Sequence, residues 1–435
     1  LAMLAKAVLG WAKAARVRIT TGRRAWLADA TLAEVERAGA HAPPQLAETA
    51  PDDVAGLLFT SGSTGVPKGV VYRHRHFVAQ IEMLRTAFGI EPGGIDLPTF
   101  PPFALFDPAL GLTSIIPDMD PTRPAKADPR KLLAAIERFG VTQLFGSPAL
   151  MRVLAEHGAP LPTVKRVTSA GAPVPAEVVA KMLALLPPDA QLWTPYGATE
   201  CLPVAVVEGR ELLTLRDRTE TGAGTCVGRP VAGNDVRIIH IDDAAIPEWR
   251  EELLVRPGDV GEITVAGPSA TDAYFNRDAQ TALAKIRERL PDGRERIVHR
   301  MGDLGWFDGE GRLWFCGRKS QRVVVDAATT LCTEQVEPVF NAHPEVARTA
   351  LVGVGPKGAQ RPVLCVELRA GIDRREWLRI AGELRHLADG FVHTAKVDTF
   401  LRHPKPFPVD IRHNAKIGRE ALAAWAATQP LEDMA

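Results

Sequence analysis

The spacing of apolar positions changes character along the chain, and each change marks a different kind of structure. Between about residues 50 and 200, short apolar runs alternate with stretches of helical period. Residues 54–60 read as a strand entering a Ser/Gly-rich loop. Phe77, Ile81, Leu84 and Phe88 then recur at helical spacing, which predicts one apolar helix face. Asp128 as N-cap, Pro129 at the first helical position and Gly140 after the last apolar residue bracket a second helix. Residues 141–146 form the next expected strand, and Ser147-Pro148 opens another helix. Residues 164–168 and 191–194 are further strands, separated by a helix over 176–186. Such alternation predicts a parallel sheet with helices on its faces.

From about 222 to 317 the pattern shortens. Apolar runs at 236–241, 261–265 and 312–316 lie between Gly, Asp and Pro turns, which predicts a small antiparallel β subdomain. After Gly317-Arg318-Lys319-Ser320 the pattern restarts, with strands, a helix over 334–342 and another over 377–388. That is an α+β module of roughly 115 residues, large enough to fold alone. The expected organisation is therefore an α/β large domain over 1–318 and a small α+β domain over 319–435.

Composition narrows the function. The 435 residues are 46% hydrophobic, and 52 basic residues balance 52 acidic ones. A zero formal charge argues against a broad nucleic-acid surface. The five cysteines (Cys201, Cys226, Cys316, Cys332, Cys365) show no C-x-x-C pair, which fits reduced thiols in a cytoplasm better than a disulfide frame or a zinc site. No apolar run approaches the ~18 residues of a spanning helix. The start, Leu1-Ala-Met-Leu-Ala-Lys, lacks an initiator Met and a cleavage pattern. It reads like the middle of an element, so the N-terminal part of the large domain is expected to be missing.

The sharpest chemical signal is Thr60-Ser61-Gly62-Ser63-Thr64-Gly65-Val66-Pro67-Lys68-Gly69. Holding a polyphosphate takes inward backbone N–H groups, hydroxyl donors and a cation. Glycines let the backbone approach, and Ser, Thr and Lys68 supply the rest. A flexible connector is the plain alternative, but a connector does not need an apolar strand before it and Pro-Lys-Gly at its end. The loop is not a P-loop, because Gly69 rather than Ser or Thr follows Lys68.

This decapeptide resembles the signature loop of the adenylate-forming superfamily, and further motifs follow in that family's order as far as residue 416. Ser169-Ala170-Gly171-Ala172-Pro173 resembles the segment along the adenine. Tyr196-Gly197-Ala198-Thr199-Glu200 resembles the aromatic-Gly-x-Thr-Glu motif. The resemblance implies that Tyr196 stacks on the purine, Thr199 donates to the α-phosphate and Glu200 holds Mg²⁺. Met301-Gly302-Asp303-Leu304-Gly305 resembles the Thr-Gly-Asp-Leu-Gly motif, with Met301 replacing Thr. It implies Asp303 as acceptor of the ribose hydroxyls, Arg318 as a ribose or phosphate contact, and Ser320 as the hinge. Asn414-Ala415-Lys416-Ile417 resembles the Gly-Lys-Ile motif, with Ala415 replacing Gly. Lys416 is then the catalytic lysine that a mobile small domain brings in. The implied cofactors are ATP and Mg²⁺. Each motif residue also has a plain reading as a turn aspartate, a buried strand end or a solvated lysine.

Acyl-CoA synthetases of this superfamily usually carry a glycine after the hinge strand, whereas residues 325–334 here contain none. The segment 72–76, the run Phe100-Pro101-Pro102-Phe103-Ala104-Leu105-Phe106-Asp107-Pro108-Ala109-Leu110-Gly111 and Asp118-Met119-Asp120-Pro121 resemble the olefin-pathway β-lactone synthetases. That resemblance implies a long-chain 2-alkyl-3-hydroxy acid as substrate, with other olefin-pathway enzymes as partners. Its β-hydroxyl displaces AMP without CoA, and a tethered nucleophile gains effective concentration. Phe100, Phe103, Phe106 and Leu110 become acyl-pocket candidates, or ordinary core. Asp107, a nearby His or the departing phosphate could accept the hydroxyl proton. A long-chain acyl-CoA synthetase is the alternative reading. His74 and His76 could ligate a metal, but solvated or phosphate-side roles suit an isolated pair better.

Overall fold

The computed structural model describes residues 15–24, 27–60, 67–409 and 417–430. Residues 1–50 and 51–435 form two units. The first holds a short parallel pair, Ile19–Thr20 with Ala30–Thr31, and the helix Leu32–Gly39. Thr31 and Glu34 close a capping box at that helix's start, each satisfying the other's backbone N–H.

The second unit opens with a hairpin, β1 (Val54–Phe59) against β2 (Gly69–Arg73), which leads into helix α1 (His74–Phe88). Strands β3 (Ile95–Pro98), β4 (Thr113–Ser114), β5 (Gln143–Gly146), β6 (Arg166–Ser169) and β7 (Gln191–Ala198) then pair in parallel. Three helices cover one face: α2 (Pro129–Phe139), α3 (Pro148–His157) and α4 (Ala176–Leu185). The ends of α2 and α3 follow the sequence signals. The Asp128 carboxylate accepts the Arg130 N–H at 3.0 Å, Gly140 ends α2 in the left-handed conformation, and Ser147 caps α3.

The chain continues through β8 (Cys201–Glu208), β9 (Thr225–Pro230), β10 (Asp235–Ile239), β11 (Gly261–Ala266), β12 (Lys285–Arg289), β13 (Glu295–Phe307) and β14 (Leu313–Arg318), all antiparallel. These strands continue the parallel set edge to edge. One ladder of twelve strands runs β10-β11-β13-β14-β9-β8-β7-β6-β5-β3-β4, with β12 on β13. The switch from parallel to antiparallel lies at the β7–β8 hairpin, whose turn carries Thr199 and Glu200.

Alternation along the parallel strands assigns the faces. Leu97, Leu144, Val167 and Leu192 point to the helices and join Ile136, Leu150, Val179 and Met182 in the main core. The other face turns to α1 and the segment 100–112, where Phe88, Ile90, Leu110 and Leu112 gather. The expected stripe on α1 is only partly realised. His76, Gln80, Met83 and Phe88 are its buried positions, while Ile81 and Leu84 are half-buried. The reason is local: His76 and Gln80 turn toward Tyr72, whose phenol accepts from Gln80 Nε2 at 3.2 Å.

Beyond residue 322, helix α5 (Thr333–Asn341), strands β15 (Val346–Val354) and β16 (Arg361–Leu368), helix α6 (Trp377–Asp389), strand β17 (Thr399–Arg402) and helix α7 (Arg419–Ala426) follow. Val336, Phe340, Leu351, Leu364, Ile380, Leu384 and Phe400 form their own apolar cluster. Strand β17 and helix α7 are additions that apolar periodicity did not predict.

Candidate active site

The decapeptide 60–69 closes a hairpin. Phe59 pairs with Gly69, and the Thr60 N–H donates to the Lys68 carbonyl at 3.0 Å. Ser61, Gly62, Ser63, Thr64 and Gly65 lie outside the described residues, as does Lys416. Thr60 and Lys68 both line a cavity of about 1730 Å³. The Lys68 ammonium sits 4.8 Å from the centre of the Tyr274 ring, whose hydroxyl donates to Glu200 Oε1 at 2.6 Å. The Tyr72 hydroxyl donates to the Thr199 carbonyl at 2.6 Å. Two tyrosines therefore tie the loop's stem to the β7–β8 turn.

The other motif residues border the same cavity: Gly171, Ala172 and Pro173 after β6, Tyr196 to Glu200 at the end of β7, and Asp303, Arg318 and Ser320. Gly171 has φ 103°, a backbone form that favours glycine and lets the chain turn along the cavity wall. Gly197 is needed for space, since a Cβ there would stand 2.9 Å from the Cys201 carbonyl oxygen. Strand register sets Asp303 opposite Arg318.

Asp303 is only 3% exposed. Its Oδ2 accepts the Tyr196 hydroxyl at 2.7 Å. Arg318 Nη1 lies 2.9 Å from Oδ1, yet no donor is aligned on that buried oxygen. Burial raises the carboxyl's pKa and the guanidinium opposes the rise. A buried carboxylate oxygen without a donor, on a residue that borders the cavity, suits a hydroxyl donor such as a ribose diol.

Glu200 is 9% exposed and belongs to no group of three candidate metal ligands among the described residues. Among the described residues, three candidate metal ligands converge only at His343, Glu345 and Glu383, where Arg379 already pairs with both glutamates. A single carboxylate suits Mg²⁺, which takes most of its shell from phosphates and water. His76 is no ligand candidate. It is fully buried, its Nδ1 accepts the Arg73 N–H at 3.0 Å, and burial next to Arg75 pushes its pKa down to about 4.

Phe100, Phe103, Phe106 and Leu110 line the same cavity. Phe103 stacks on Phe145 at 4.2 Å between ring centres and meets Phe100 and Phe106 at 5.7 and 6.1 Å. Leu110 is also part of the core. Asp107 lies elsewhere than its neighbours suggest. It hydrogen-bonds Asp96 and Ser114, and Asp96 is level with Gln191 across the sheet. Tyr196 is five residues further along β7, ~16 Å away at the usual strand rise. Asp107 is therefore out of reach of chemistry at the level of Tyr196.

Several cavity residues carry no motif. Tyr274 is one, and its role needs the pairing of Val71 N–H with the Ala273 carbonyl, which brings residue 274 beside the loop. Arg300 and Glu262 form a fully buried ion pair at 2.6 Å, joined by Lys319 Nζ at 3.0 Å. A charged residue within an otherwise apolar strand, as at Glu262, was the available signal.

Residues 3–275 match the family model described as AMP-binding enzyme. The chain is 68% identical to the olefin β-lactone synthetase of Xanthomonas campestris pv. campestris and 67% identical to that of Stenotrophomonas maltophilia. Each match covers 99% of this chain and 77% of the relative. Its fold is similar to that of the O-succinylbenzoate coenzyme A synthetase of Bacillus subtilis solved with ATP and a magnesium ion, with a TM-score of 0.66 at 20% identity over 91% of this chain and 75% of that one. With its described motif residues gathered on one cavity and a near-full-length match at this identity, the chain belongs to the AMP-binding, adenylate-forming enzyme family.

Proposed function

We propose that this protein is an ATP-dependent β-lactone synthetase acting on long-chain 2-alkyl-3-hydroxy acids in olefin biosynthesis, alongside other enzymes of that pathway in the cytoplasm. The observation that carries the reading is the 68% identity to an olefin β-lactone synthetase over 99% of the chain. The cavity supports it, because one space joins the nucleotide-side residues to the aromatic ladder.

In this reading the loop 60–69 and Lys68 grip the triphosphate, Thr199 donates to the α-phosphate, and Tyr196 and the segment 171–173 hold the adenine. Asp303 accepts ribose hydroxyls through its unpartnered Oδ1, and Arg318 lies beside it. Glu200 would hold Mg²⁺, which supplies positive charge to the phosphates. The substrate carboxylate oxygen attacks the α-phosphorus and the bond to pyrophosphate breaks, leaving acyl-AMP. Lys416 neutralises charge as this happens. The β-hydroxyl oxygen then attacks the acyl carbon, the acyl–AMP bond breaks, and the four-membered ring closes. Because Asp107 is out of reach, the departing AMP phosphate is the proposed proton acceptor. We place the boundary between a large domain and a mobile small one at 318/319, with Ser320 as hinge. The separate apolar cluster beyond residue 322 supports that boundary.

The decisive experiment is product analysis with ATP, Mg²⁺ and a long-chain 2-alkyl-3-hydroxy acid. AMP and β-lactone in equal amounts without CoA are expected. A thioester that appears only when CoA is added would replace this reading with that of an acyl-CoA synthetase.

A further inference from the structure

The face of the sheet opposite helices α2–α4 is organised in rows. Register aligns Asp96, Gln143, Arg166 and Gln191 in one row, and Pro98, Phe145, Thr168 and Trp193 in the next. Residues two apart on a strand share a face. The cavity follows that face, bordered by Ser147 and Ala170 near the nucleotide side, Phe145 and Thr168 below them, and Asp96, Gln143 and Arg166 lowest. The aromatic middle therefore gives way to a polar end.

That polar end is a built cluster. Arg166 Nη1 donates to Gln143 Oε1 at 2.8 Å and Nη2 to the Gly89 carbonyl at 3.0 Å, while its buried Nε has no partner. Asp96 and Asp107 are hydrogen-bonded to each other, and Ser114 donates to Asp107. Burial, with Asp107 alongside, pushes the Asp96 carboxyl up to about 7, so the pair holds a proton between them near neutrality.

We propose that Asp96, Gln143 and Arg166, backed by Asp107, form the floor of the acyl cavity and set the length of the alkyl arm it accepts. The inference rests on the function proposed above and names a specificity determinant within it. An alkyl end reaching this row would lie against a guanidinium, an amide and a carboxyl and offer them no hydrogen bond. Above the row, each methylene buried against Phe145 and the Phe103 ladder adds about fourfold to kcat/KM. From Ser147 down to Gln143 is four residues, ~13 Å of strand. An extended chain covers that distance in about ten carbon–carbon bonds. Activity against chain length should rise steeply and then break.

The test measures AMP release by the full chain with ATP, Mg²⁺ and a graded series of 3-hydroxy acids. For the wild type, a rise of about fourfold per methylene up to a break is expected. Gln143→Leu and Arg166→Met should each move the break to longer acids. Each should also raise the long-to-short ratio of kcat/KM just beyond the wild-type break at least tenfold. Arg166→Lys, which keeps a cation, should leave the break in place. Gln143→Leu removes only an amide and leaves the Arg166 bond to Gly89 intact, so it reads the floor without threatening the fold. A break at the wild-type length in Gln143→Leu overturns the proposal. Absence of AMP release with every acid in the wild type would instead overturn the function on which the proposal rests.

Discussion

Asp303 meets two requirements that usually conflict. A carboxylate buried this deeply is costly unless compensated, and compensation normally consumes its acceptor sites. Here Arg318 supplies opposite charge at 2.9 Å without aligning a hydrogen bond, and Tyr196 occupies only the other oxygen. The charge is balanced while one buried acceptor stays without a donor. Asp303→Asn would remove the charge and present an amide that can direct a donor toward Arg318. Losing a charged hydrogen bond of this kind costs about 1.5–3 kcal/mol, so KM for ATP should rise on the order of tenfold to a hundredfold. Tyr196→Phe, which removes only the competing bond on Oδ2, should change it far less. Steady-state kinetics at saturating acid measures both. An Asp303→Asn enzyme with the wild-type KM for ATP would refute this account of the unpartnered oxygen. The aspartate was legible in the sequence through its Gly-Asp-Leu-Gly setting. Its partner Tyr196 was legible as an aromatic, but its bond to Asp303 depends on tertiary placement.

At the scale of elements, three of the five parallel strands, β5, β6 and β7, and the helices α2 to α4 were legible, with explicit caps on α2 and α3. Strands β3 and β4 were not, and residues 54–59 form one arm of an antiparallel hairpin outside that sheet. What stayed hidden was joinery. The antiparallel strands looked like a separate subdomain because pairing of β8 with β9 and of β9 with β14 leaves no periodic trace in any one segment. Tyr274 was hidden for the same reason, being placed by a backbone bond between residues 71 and 273. The C-terminal end of β14 shows how one residue serves such a joint. Gly317 has φ 122°, and a Cβ on it would collide with Thr333 Oγ1 at the start of α5. Gly317→Ala should therefore strain the backbone and push α5 away, at a cost of about 1–3 kcal/mol. The neighbouring substitution Ser320→Ala meets no such conflict and serves as the control. Thermal unfolding should show a clearly lower midpoint for Gly317→Ala alone. Equal midpoints for the two variants would mean that the β14–α5 contact is looser than the structure shows.

Across the whole molecule, buried carboxyls set an unusual dependence of stability on pH. Asp96, facing Asp107 and Arg166, is pushed by burial up to about 7 from an ordinary 3.8. Glu334 is likewise pushed up to about 7 from 4.5. It accepts the Thr225 hydroxyl at 2.9 Å, with Glu337 raising its pKa and Arg419 lowering it. Each group binds its proton more tightly folded than unfolded. Between about pH 4 and pH 7 the native state therefore holds protons that the unfolded chain has released, and stability falls as pH rises through that window. Asp272 and Glu288, paired with arginines, have lowered pKa values and act in the opposite sense, losing their contribution only as the solution turns strongly acidic. The buried His76, held at about 4, and His299 and His393, also lowered by burial, bind protons less tightly folded than unfolded, so their contribution rises with pH between about 4 and 6.5 and opposes the carboxyls there. A shift of two to three pH units per buried carboxyl corresponds to a few kcal/mol at most, on the order of 1.4 kcal/mol per unit, shared where Asp96 and Asp107 are coupled. The two carboxyls should therefore raise the melting midpoint at pH 5 relative to pH 8 against the opposing histidines. Combining Asp96→Asn with Glu334→Gln replaces both titrating groups by permanently neutral ones of similar shape, and should lower the midpoint at pH 5 relative to that at pH 8 when compared with the wild type. If the double variant showed the same difference between pH 5 and pH 8 as the wild type, these two carboxyls would not contribute to it.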